Sequence, residues 1–123
     1  MAKAESKKWL IGANFEVQDA QKNGYVVAII FFYLSSQDLA VKRVETRVKE
    51  GGHNIPEKVI RRRYENGLKN FFDIFQPIVD EWLFIENSGE PYKLIAQKRQ
   101  SKKEVHMNQI WNKLKSKYDG QQT

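Results

Sequence analysis

The sequence predicts an α/β fold, and three observations predict it. The run YVVAIIFFYL, residues 25–34, is β-branched, aromatic and apolar on both faces, the composition of a strand covered by helices on each side of a sheet. Two segments flanking Gly51 and Gly52 repeat their apolar residues at helical spacing. Residues 82–97 then read as strand, turn, strand. At 123 residues the chain has the length of one domain with a single modest core.

In chain order, residues 1–13 carry little pattern and form a segment of unclear origin, while 14–123 read as one domain. Residues 14–23 suit a short helix ending at Gly24, a residue that accepts the left-handed C-cap. The apolar strand at about 25–34 is predicted to be central and buried. Ser36 is the N-cap of a helix whose stripe is Ala40, Val41, Val44 and Val48. The glycine pair breaks that helix. Pro56 and Glu57 suit the first turn of a second one, with Ile60, Tyr64, Leu68, Phe71 and Phe75 buried and Pro77 as its stop. In the hairpin, Trp82–Glu86 and Tyr92–Gln97 flank the turn residues Asn87 to Glu90. KRQSKKE reads as a polar link. A terminal helix over 104–118 buries Val105, Ile110, Trp111 and Leu114. A buried strand needs neighbours on both edges and the hairpin supplies one. The sheet is therefore expected to be truncated at its N-terminal side, or completed by a second chain covering its edge.

Composition narrows the class. There is no cysteine, hence no disulfide and no thiolate metal site, and two histidines far apart form no metal cluster. The N-terminus lacks the apolar segment of a signal peptide, and the longest apolar run is too short to span a bilayer. A soluble, cytoplasmic protein without membrane contact is the expectation. A net charge of +6 favours polyanionic partners.

The cations nearest the glycine hinge are the candidate site. Arg43 and Arg47 lie one turn apart beside the apolar stripe, and like charges at that spacing repel by roughly 0.2–0.5 kcal/mol. Two readings stand for the pair: a bound anion, or a solvated face softened by Glu45 and Glu50. His53 is either a phosphate donor or a loop-capping histidine. Arg61 and Arg63 flank the second helix's stripe, and either serve the same anion or pair with Glu57, Glu65 or the terminal helix.

The string RVETRVKEGGHNIPEKVIRRRY, followed by WLFIENSGEP and LIAQ, resembles the C-terminal half of bacterial zeta-toxin-like P-loop kinases, also described as predicted ATPases of toxin–antitoxin systems. The resemblance covers about Asp19 to Tyr118. It implies a three-layer P-loop-kinase-like fold, a lid-like helix-loop-helix at about 36–75, and phosphoryl transfer from ATP with Mg2+. It also implies an antitoxin as a possible partner. Arg43 and Arg47 would approach the transferred phosphate, His53, Arg61 and Arg63 would add cations, and the Asn87-Ser88-Gly89 turn would lie near the base. Guanidinium groups on the equatorial phosphoryl oxygens are what such chemistry uses. The loop G-x-x-x-x-G-K-[ST] and the acid that activates the acceptor are absent from these residues. The chain is thus expected to supply lid cations and to be inactive alone. The competing expectation is a non-enzymatic basic module that binds nucleic acid or an acidic protein.

Overall fold

The computed structural model describes residues 16–118. The predicted segment 1–13, and Asn14 and Phe15 of the predicted first helix, lie outside the described residues. The elements are α1 (residues 16–22), β1 (Ala28–Tyr33), α2 (Gln37–Lys49), α3 (Glu57–Asn70), a π-helical turn (Phe71–Phe75), α4 (Gln76–Ile78), β2 (Glu81–Glu86), β3 (Lys93–Arg99), β4 (Lys102–Val105) and α5 (Asn108–Tyr118). The fold is mixed α/β. Its sheet has the order β1-β2-β3-β4, with β1 and β2 parallel and the other two pairings antiparallel.

The first strand corrects the sequence reading. It is an edge strand, shorter than predicted, and among the described residues its one sheet neighbour is β2. Burial alternates along it: Ile29, Phe31 and Tyr33 pack on the core, while Ile30 and Phe32 are each 55 % exposed. An apolar run looks the same in sequence whether one face is covered or two. Topology decides, and here it leaves one face uncovered among the described residues. The entry to β1 is pinned from α1 and β2. The Asp80 carboxylate accepts from the Val27 N–H (2.8 Å) and from Gln21 Nε2 (3.1 Å), and Gln21 also donates to the Ile78 carbonyl (2.8 Å).

The core is aromatic. Register places Phe31 opposite Phe84 and Ile29 opposite Trp82, so these four share one sheet face. Phe31 and Phe84 stack at 5.0 Å, and Trp82 stacks on Trp111 of α5 at 5.1 Å and 11°. Phe71 and Phe72, adjacent in the π-helical turn, both enter this cluster. The helix continues past Pro77 to Ile78, so the proline does not end it as predicted; the widened turn lies immediately before it.

Two further boundaries differ from the sequence reading. KRQSKKE is not a link: it closes the β3–β4 hairpin through Gln100 and Ser101, whose φ values of 52° and 65° suit a two-residue type I′ turn. Neither residue is the glycine or asparagine that marks such turns in sequence. The terminal helix consequently starts at Asn108, and Val105 is in β4.

Candidate anion-binding site

The carboxyl ends of the parallel strands β1 and β2 lie side by side, and ligands in open α/β sheets bind at such ends. Here the chain after β1 turns directly into α2. Ser36 caps that helix by accepting from the Leu39 N–H at 3.1 Å, as its sequence position predicts. The turn after β2 is fastened to the same place: the Asn87 N–H donates to the Tyr33 carbonyl (2.8 Å), and the Ser35 N–H to Ser88 Oγ (2.8 Å).

Between these ends, α2 and α3 lies a cleft of about 470 Å³. Phe31, Leu34 and Ile60 form part of its apolar wall, and Arg43, Arg47 and Arg63 bring guanidinium groups to it. Arg43 is half-buried and preset, its Nη2 donating to the Asn87 carbonyl at 2.6 Å. Arg47 and Arg63 are exposed and form no ion pair among the described residues. The cleft lining contains no carboxylate. Three arginines line an apolar cleft that has no carboxylate, and a guanidinium can donate twice to one polyoxygen anion.

Arg47 owes its position to the glycine hinge. Gly51 adopts φ +100°, its N–H donates to the Val48 carbonyl (3.0 Å), and the Gly52 N–H donates to the Arg47 carbonyl (2.7 Å). This pair of bonds is the Schellman C-cap, and it stops α2 at Lys49, two residues past Arg47.

The structure brings Arg43, Arg47 and Arg63 together, but not Arg61 or His53. Arg61 ties the start of α3 to the start of α2 through Asp38 (2.7 Å) and Glu57 (2.9 Å). His53 is exposed and does not line the cleft.

Sequence reading missed a second chamber, of about 390 Å³, which shares Tyr33 and Tyr64 with the cleft and reaches Glu65, Lys113 and Tyr118. The Tyr64 hydroxyl donates to the Leu34 carbonyl (2.6 Å). Burial foremost raises the Tyr33, Tyr64 and Tyr118 hydroxyls above the ordinary tyrosine range. Burial alone would raise Glu65, but Tyr118 and Gln37 each donate to its carboxylate at 2.6 Å, and with Lys117 they hold it below the ordinary range. Tyrosine hydroxyls on an otherwise apolar stripe were the available signal. A carboxylate whose folded pKa lies below its unfolded value adds stability above the unfolded value and loses it as pH falls through the folded one. Tyr118→Phe is therefore expected to cost about 1–2 kcal/mol at pH 7. The difference from the parent should shrink below pH 4, as measured by urea unfolding at pH 7, 5 and 3. A gap constant across that series would show that Glu65 is not the partner that matters.

Among the described residues no helix is long and apolar enough to cross a membrane, and no group of three His, Asp or Glu is placed to hold a metal. No protein-family model, curated protein or solved structure matches the chain.

Proposed function

We propose that the chain supplies the cationic lid of a nucleotide-phosphate site, as the C-terminal part of a zeta-toxin-like, nucleotide-dependent kinase or ATPase. The observation that carries this reading is the convergence of Arg43, Arg47 and Arg63 on one cleft at the carboxyl ends of β1 and β2. Arg43, held by the Asn87 carbonyl, is a preset donor with further N–H groups for phosphate oxygens. Arg47 and Arg63, exposed on the adjacent helices, close on the anion once it is present. Their work is binding and orientation, and in a transferring phosphoryl group they would offset charge on the equatorial oxygens. The residues fit the phosphates of ATP. They do not fit Mg2+, because no carboxylate lines the cleft, so no step is assigned to the ion here.

In this reading the sheet is one part of a three-layer fold. The edge of β1, unpaired among the described residues, is where a strand followed by a phosphate-binding loop would pair, and a helix beyond it would cover Ile30 and Phe32. Isothermal titration with tripolyphosphate and with ATP tests the proposal. Both are expected to bind at low salt, ATP more tightly. Arg43→Gln with Arg47→Gln should weaken each at least tenfold, and Arg61→Gln should leave affinity unchanged. Absence of binding, or a double variant that binds like the parent, would refute it.

A further inference from the structure

The net positive charge of the chain is concentrated in its C-terminal segment, away from the cleft. Eight lysines and arginines and one glutamate fall between Lys93 and Tyr118, a net of +7, whereas the whole chain nets +6. This segment is the β3–β4 hairpin and α5. Within the hairpin, Lys98 stands directly opposite Lys103, and Arg99 opposite Lys102. Like charges in cross-strand register repel, and here two such pairs follow one another.

The register also fixes which way these groups point. Lys98 is opposite both Trp82 and Lys103, so all three share the face that α5 covers, and Lys103 Nζ lies 5.4 Å from the Trp111 ring centre. Glu104, the segment's one carboxylate, is paired with Gln97 on the other face. α5 turns Trp111 and Leu114 to the core. Its outward stripe is Gln109, Asn112, Lys113 and Ser116, at i, i+3, i+4 and i+7, and all four are exposed. That stripe consists of amides, an ammonium and a hydroxyl. It contains no acid and no apolar side chain.

We infer that α5 and the lysines beside it form a binding surface for duplex DNA, with the helix in the major groove and Lys98, Lys103 and Lys113 on the flanking phosphates. A B-form major groove admits one α-helix, and Asn and Gln are the side chains that pair with adenine edges there. The amide stripe is what favours DNA over an acidic protein, which would call for cations alone. The deep, narrow major groove of duplex RNA excludes a helix. This inference goes beyond the phosphate cleft and rests on none of its residues.

The test is fluorescence anisotropy of the full chain with a labelled random-sequence DNA duplex, the matching RNA duplex and polyglutamate, over a salt series. The DNA is expected to bind tightest, with log K falling against log salt at a slope of about −3, close to −0.9 per phosphate contact. Lys98→Gln, Lys103→Gln and Lys113→Gln together should flatten the slope by about 1 per lysine removed. Gln109→Ala with Asn112→Ala should weaken binding several-fold at unchanged slope. The triple variant's tripolyphosphate affinity should match the parent's, which separates this surface from the cleft and reports an intact fold. Should the triple variant fail to fold, the parent's slope and the amide variant decide. The inference is overturned by no duplex binding at low salt, by tighter binding of RNA or polyglutamate, or by amide substitutions without effect.

Discussion

Phe71→Ala is expected to lower stability by about 3–5 kcal/mol. The Phe71 ring centre lies 5.3 Å from Phe31, 5.2 Å from Phe72, 5.5 Å from Trp82 and 5.0 Å from Phe84. It also meets Trp111 edge-on at 6.4 Å. One side chain thus joins β1, β2 and α5. Its neighbours are anchored on three different elements, so they cannot move together to fill the space, and a cavity remains. Domains of this size have about 5–15 kcal/mol in total, so the variant approaches the unfolding limit. Urea denaturation followed by circular dichroism measures the loss, with Phe71→Leu as a milder companion. A loss below about 1 kcal/mol would show that the cluster repacks and that Phe71 is not its centre.

Gly52→Ala is expected to follow, at about 1–3 kcal/mol, because it meets backbone rather than a side chain that can swing aside. A Cβ on Gly52 would lie 2.9 Å from the Arg47 carbonyl oxygen and 3.2 Å from its carbon. Relief requires the C-cap to open, which breaks the 2.7 Å bond between those residues and shifts the turn that carries Arg47. Stability and tripolyphosphate affinity should therefore fall together. Gly89→Ala, where an added Cβ meets nothing within 4 Å, is the control. Equal behaviour of the two variants would dissociate the hinge from the cleft.

Local chemistry was legible in the sequence, and pairing was not. Ser36 as a cap and the breaks at Gly24 and Gly51 follow from short-range hydrogen bonding, and the structure places each where the sequence does. In sequence β1 reads as central because Ile30 and Phe32 are apolar, but its place in the sheet depends on partners remote in the chain. The fourth strand was hidden because Gln100 and Ser101 take positive φ without glycine. Within the site, Arg43 and Arg47 were visible as a costly pair. Arg63 and Arg61, two residues apart on one helix, leave it on different sides: Arg63 lines the cleft, while Arg61 is tied to Asp38 and Glu57.

The single parallel pairing has a kinetic meaning. β2, β3, β4 and α5 follow one another closely and can assemble from short loops. β1 must wait for β2, because the whole of α2, α3 and the π-helical turn separates Tyr33 from Glu81. On a ribosome the order of emergence is the reverse, so AIIFFY leaves the exit tunnel before any surface exists to receive it. Early docking of α2 on α3 would shelter the inward side of that strand in the interval, and slower synthesis of the segment up to Glu86 should lengthen the time it depends on chaperones.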